Sequence, residues 1–190
     1  MSQRSFLRHS ILAAAASLSW LIVSACESSA AVDSAQLEYS VKAAYLYKFG
    51  GFVEWPQTAF AAPDSPTNLC ILGSDPFGAL LDKVVDGQHI GDHPIVVKRL
   101  EKVEHQSGCQ ILFVGGADDK KTSQALEAVR GESVLTITDG ARTPQATGII
   151  NFVIADNRVR FEIDDQAAAA NGVVISSKLL DLARSAKRRG

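Results

Sequence analysis

Apolar residues are arranged along this chain in four ways, and each arrangement predicts a different element. The first is an unbroken apolar or small run from Ile11 to Val23, preceded by Arg4 and Arg8 and closed by Ser24-Ala25-Cys26. Charge, apolar stretch and small residues in that order predict a secretory signal over residues 1–26, and the run is too short for a comfortable membrane span. The second is helical spacing. In Tyr39 to Pro56 (YSVKAAYLYKFGGFVEWP), Val41, Ala44, Tyr45, Phe49 and Phe52 fall at i, i+3, i+4 intervals and place one stripe on one face of a helix. Pro56 cannot continue a helix and turns Trp55 away from helical angles, so the helix should end near Gly50 and Gly51 with Phe52 to Trp55 extended. Six of the 13 aromatic residues (2 Trp, 3 Tyr, 8 Phe) lie here, so this stretch reads as a plug of the core, with a docking surface as the alternative. On the docking reading its outer side carries Lys42, Tyr47 and Lys48.

The third arrangement is the short continuous apolar run. Leu69 to Gly73, Gln110 to Val114 and Val134 to Thr138 are each closed by glycine or Asp-Gly, which predicts strands buried on both faces, and Ile95 to Leu100 is a further strand of mixed character. Between them lie a short helix capped by Ser74 or Asp75 with Pro76 in its first turn, a turn at Asp86-Gly87, and a helix from Lys120 to Arg130 stopped by Gly131. The fourth is alternation. Gly148 to Ala155 and Arg158 to Ile163, joined by Asp156-Asn157, carry a β-hairpin signal. A small-residue segment, Ala167 to Ala170, then leads through Val173 to Ile175 into a final helix around Leu179 to Ala183, with Ser176 or Ser177 as its cap. Strands alternating with helices predict an α/β domain: a mostly parallel sheet covered by helices on both faces, with a C-terminal β-hairpin and final helix. Domain organisation follows as a 1–26 signal, a 27–38 flexible spacer, a single domain over 39–186 and a basic tail over 187–190, the tail reading as a solvated helix end.

Composition narrows the function. The net charge of −2 becomes −4 once the leader takes Arg4 and Arg8 away, which argues against nucleic acid as a partner. Val23-Ser24-Ala25-Cys26 resembles a lipobox, with Cys26 as the lipidation site, whereas cleavage near Ser29-Ala30-Ala31 releases a soluble protein, the outcome favoured here. Beyond the leader only Cys70 and Cys109 remain, and an even pair in an oxidising compartment is most simply a disulfide. A metal site built from His89, His93, His105 and Cys109 is the alternative. Asp92 and Pro94 argue for a polar loop around those histidines instead.

Chemistry is otherwise hard to find. The chain has no nucleophile elbow, phosphate loop or dinucleotide fingerprint. Gly73-Ser74-Asp75 and Gly115-Gly116, each at the end of a strand, could bring backbone amides to an anion, making Ser74, Gly115 and Gly116 candidate ligand turns; any doubly wound sheet also needs such turns merely to connect. Asp118-Asp119 and Asp164-Asp165 sit beside helix starts, where acidic side chains are favoured without catalytic duty. From residues alone this is a secreted α/β domain without a visible active site, which favours binding or regulation over catalysis, and no cofactor is implied.

VKAAYLYKFGGFVEWP, LCILGSDPFG, CQILFVG, VLTITD, INFV with RVRFEI, and VVISSKLLDLAR together, in order and spacing, resemble the YfiR-like family of periplasmic regulators from about Tyr39 to Arg184. The resemblance implies a homodimeric, disulfide-bearing periplasmic protein, not an enzyme, that represses a membrane-bound diguanylate cyclase by contacting its periplasmic domain. Cyclic-di-GMP and biofilm output would thereby be kept low. It also implies release by a peptidoglycan-associated outer-membrane lipoprotein. No cysteine follows Cys109, so redox control through a second C-terminal bridge, found in some relatives, has no basis here. On this reading Tyr47, Phe152 and Phe161 are candidate partner-binding residues wherever they face solvent. A small-ligand site for a nucleotide or aromatic amino acid at the strand ends is the alternative.

Overall fold

The computed structural model describes residues 34–116 and 118–189. The predicted signal and the candidate lipidation site Cys26 lie outside those residues. Two compact units divide the chain, residues 1–38 and 39–190. Of the first, residues 34–38 are helical, where a flexible spacer is expected from sequence. The rest of the fold belongs to the second unit.

That unit opens with helix α1, residues 39–50, which ends at the expected glycine pair. A two-residue strand β1 (Val53–Glu54) follows, then β2 (Thr67–Gly73), α2 (Ala79–Val85), β3 (His89–Ile90), β4 (His93–Leu100), β5 (Ile111–Gly115), α3 (Asp119–Ala128), β6 (Leu135–Asp139), β7 (Ile150–Ala155), β8 (Arg158–Asp164), α4 (Asp165–Ala170), β9 (Val174–Ile175), α5 (Ser177–Leu182) and β10 (Ser185–Lys187). The main sheet runs β10-β8-β7-β6-β5-β2-β4-β3. β4, β2, β5, β6 and β7 are mutually parallel, while the β7–β8 and β3–β4 pairs are antiparallel. The mixed α/β sheet expected from the four apolar runs is present, and the β7–β8 hairpin extends one side of it.

Strand alternation sorts the core into two layers. Leu69, Ile71, Ile111, Phe113, Leu135 and Ile137 face one side with α1 and α2; Cys70, Leu112, Val114, Val129 and Val134 face the other with α3. Cys70 and Cys109 form a disulfide inside the second layer, with Cα atoms 5.9 Å apart. Asp156 and Asn157 both take positive φ (51° and 57°), the paired left-handed turn that suits the twist of a two-residue hairpin.

The helix start expected beside Asp164-Asp165 is α4, capped by Asp164, whose carboxylate accepts from the Ala167 amide. Two elements differ from expectation. His89 and His93 flank a tight turn of a small antiparallel pair rather than a polar loop. The basic tail is an edge strand and not a solvated helix end: β10 runs parallel to β8, and Arg184, Lys187, Arg188 and Arg189 pair with Glu162, Asp164, Asp181 and Asp165. Four acids lined up in reach of four bases explain the strand, and none of those pairings is local enough to be seen in the sequence.

Candidate functional site

Two places gather the residues singled out in the sequence. One is the C-terminal edge of the parallel strands. Chain order along β4-β2-β5-β6 is second, first, third, fourth, so the winding direction reverses between β2 and β5, where open α/β sheets place their ligand crevice. Gly73-Ser74 ends β2 and Gly115-Gly116 ends β5, so the fold brings the two candidate ligand turns side by side at that reversal. They meet closely. The Ser74 amide donates to the Gly115 carbonyl at 3.1 Å; a Cβ on Gly73 would stand 2.3 Å from that oxygen, and one on Gly115 2.0 Å from the Ser74 carbonyl. Both positions therefore require glycine, and Gly73 also needs its positive φ of 80°.

Next to these turns, Asp118 caps α3 by accepting from the Lys120 and Lys121 amides at 3.0 and 3.1 Å, so those two donors are taken by a carboxylate. On the other flank a cavity of about 300 Å³ is bordered by Asp119, Asp139 and Arg142. Asp139 is bound to Lys42, whose Nζ lies 2.7 Å from both carboxylate oxygens.

Lys42 is itself a correction. The sequence reading places it on the outer side of α1, yet it is 2% exposed, with Nζ 4.8 Å from the Tyr39 ring centre and 5.8 Å from that of Phe152. The buried face of α1 is Lys42, Ala43, Leu46, Phe49 and Gly50, rotated from the predicted stripe, and Val41 is left 38% exposed. An acid at the end of β6, 97 residues away, is what allows a lysine to occupy that face. The acid that closes VLTITD was the only available hint.

Asp75 lies at the same edge. Burial pushes its carboxyl pKa up, but the Arg99 guanidinium at 2.7 Å and the amides of Phe77 and Gly78 outweigh that and hold it below the usual carboxylate value. Arg99 also bonds Asp82 and the Gly78 carbonyl, and the carboxylates of Asp82 and Asp75 raise its own pKa.

The second place is the β7–β8 hairpin packed on α1. Phe152 and Phe161 sit opposite each other across the ladder, 0% and 5% exposed, with the Phe49 ring 5.7 and 4.9 Å away and that of Tyr45 6.2 and 5.7 Å away. Neither is an exposed aromatic; both belong to the core, because their face of the hairpin is the one α1 covers. Tyr47 is half-buried and packs against the same core. Further out on that face, toward the turn, the next pair is Ile154 opposite Val159, and Ile154 is 52% exposed. Period-2 alternation put Ile154 on the Phe152 face from the start; where α1 stops covering that face is what sequence could not give.

The histidines do not converge. His93 stacks on Phe60 at 3.8 Å with Nδ1 2.6 Å from the Ser65 carbonyl, His105 pairs with Glu132, and His89 is exposed. Among the described residues no group of three or more His, Cys, Asp or Glu side chains could hold a metal ion, and no helix is long and apolar enough to cross a membrane.

The two stretches on which the family resemblance chiefly rests pair directly with each other. Val53 and Glu54 of the FVEWP corner form the β1–β9 ribbon with Ile175 and Val174, and the Ser176 amide, at the start of SSKLL, donates to the Phe52 carbonyl. Comparison with known proteins agrees with that reading, although no curated protein matches the chain. A model of the YfiR/HmsC-like family matches residues 39–184, which is most of the chain and nearly all of its folded unit, and the chain belongs to that family.

Proposed function

We propose that this chain represses a membrane-bound diguanylate cyclase by binding the cyclase's periplasmic domain, and that the outer end of the β7–β8 hairpin is part of the surface that binds. Family membership supports the coarse role, a periplasmic regulator of a diguanylate cyclase rather than a catalyst. The observation that carries the finer reading is Ile154. It is a large aliphatic side chain left half in solvent at the end of an otherwise covered face, opposite Val159. An exposed large apolar side chain is the usual centre of a protein-binding patch. Phe152 and Phe161 support it from beneath by fixing the hairpin on α1, and Lys48 is exposed on that helix. Homodimerisation and release by an outer-membrane peptidoglycan-associated lipoprotein belong to the same proposal.

Ile154→Lys tests it. The side chain is already half-exposed, so the thermal midpoint should move little, while cells carrying the variant should show cyclic-di-GMP raised toward the level of a strain lacking the protein. Normal cyclic-di-GMP at normal protein abundance would remove the hairpin end from the binding surface.

A further inference from the structure

The β7–β8 hairpin outruns β6 at the C-terminal edge of the sheet. β6 ends at the Asp139–Phe152 pair, so the outermost cross-strand pairs of the hairpin, Val153 with Arg160, Ile154 with Val159 and Ala155 with Arg158, have no β6 neighbour. Alternation gives this projecting ribbon two unlike faces. Ile154 and Val159 continue the face that carries Phe152 and Phe161, while Arg158 and Arg160 lie on the other, the face of Asn151 and Glu162. Being two residues apart on one strand, the arginines are spaced about 7 Å along it.

A third arginine comes to the same side. The Gly140 amide donates to the Phe152 carbonyl and the Ala141 amide to Asn151 Oδ1 at 3.2 Å, so the chain leaving β6 passes on the Asn151 side of the hairpin immediately before Arg142. Arg142, Arg158 and Arg160 are exposed, and among the described residues none of them forms an ion pair or a side-chain hydrogen bond. The other described arginines, Arg99, Arg130, Arg184, Arg188 and Arg189, each hold a carboxylate. Nearby acids do not answer the three. Glu162, next along the arginine face, pairs with Arg184, and Asp139, on the opposite face, pairs with Lys42. Asp119 borders the same cavity as Arg142 without pairing with it, and Asp156 lies in the hairpin turn.

Charge and shape together select the occupant. A guanidinium fork matches a carboxylate, and arginine is among the residues enriched where proteins meet. A flat anionic lipid surface approached end-on would meet the turn first, and the turn carries an acid, Asp156. A protein segment lying along the ribbon meets the arginines from the side. If extended, it repeats its side chains on one face every second residue, which is the interval between Arg158 and Arg160. We infer that this face docks an extended acidic segment of a partner protein, with carboxylates on alternate residues opposite Arg158 and Arg160 and a further acid at Arg142. The face is the reverse of the one that carries Ile154, so the inference does not rest on the cyclase reading.

NMR titration of the intact, isotope-labelled protein with an alternating glutamate–threonine octapeptide, with the lysine–threonine octapeptide as the comparison, tests the inference. At low salt the glutamate peptide should shift the amides of Val153 to Arg160 saturably, and salt at about 0.3 M should weaken binding at least tenfold. Arg158→Ser with Arg160→Ser should weaken it about tenfold, the product of a loss of about threefold at each exposed ion pair, whereas Arg130→Ser should bind as the wild type does. No saturable shift at the hairpin, equal binding of the lysine peptide, equal binding by the double variant, or an equal loss in Arg130→Ser would overturn it. Flotation with vesicles of phosphatidylglycerol and phosphatidylcholine in equal parts, without peptide binding, would also overturn it and assign the arginines to lipid. Should the double variant fail to fold, the two single variants decide, and wild-type affinity in both would overturn the inference.

Discussion

At the scale of single residues, the Lys42–Asp139 pair most clearly sets this fold apart from a generic α/β sheet. The two partners are not equally buried: the Lys42 side chain is 2% exposed and that of Asp139 19%. Removing the carboxylate leaves an ammonium in the core beside the Tyr39 and Phe152 ring faces without its counter-charge at Asp139, whereas removing the ammonium leaves a carboxylate that water can still reach. Asp139→Asn should therefore destabilise the protein by roughly 3 kcal/mol, the lower end for breaking a buried pair, and by more than Lys42→Met does. Urea unfolding of the two variants measures this; a Lys42→Met loss equal to or larger than that of Asp139→Asn contradicts the assignment of the lysine as the costlier orphan. The lysine was unreadable as a core residue in sequence for the same reason, since a charge enters a core only where a distant partner meets it.

At the scale of elements, α2 is joined to β4 by one arginine. Arg99 bonds Asp75 ahead of the helix, Asp82 within it and the Gly78 carbonyl at its start, a start that has no side-chain cap of its own. The Asp75 carboxyl has a folded-state pKa below its unfolded value, so the stability it contributes is present above that unfolded value, near pH 4, and is lost as pH falls through the lower folded value. The wild type should therefore lose more stability between pH 5 and about pH 2.5 than Asp75→Asn does, read as the shift in urea midpoint. Equal acid sensitivity would show that Asp75 is not part of the clasp. Elements set by local period and turn chemistry were legible in the sequence: the α1 end at Gly50, the glycine-closed strands, and the Asp156-Asn157 hairpin. Those set by partners far away in the chain were not, among them the rotation of α1, the β1–β9 ribbon and the β10 edge strand with its ion pairs. The candidate site divides in the same way. Sequence could place Ser74, Gly115 and Gly116 at strand ends, but their approach across the β2–β5 boundary, and the burial of Phe152 and Phe161 beneath Tyr45 and Phe49, depend on strand order and on the path of α1.

At the scale of the whole molecule, the domain presents an eight-stranded sheet, a disulfide inside its second core layer, and an exposed apolar hairpin end at Ile154. These features suit a protein that acts by binding, and its family is one of regulators. A repressor of a cyclase has no effect of its own once the cyclase is gone. The most direct test is cyclic-di-GMP measured in cells lacking this protein, lacking its cyclase, and lacking both. The account predicts a several-fold rise in the first strain and a return to the cyclase-deletion level in the third; cyclic-di-GMP unchanged by the first deletion, or still raised in the double deletion, would contradict it.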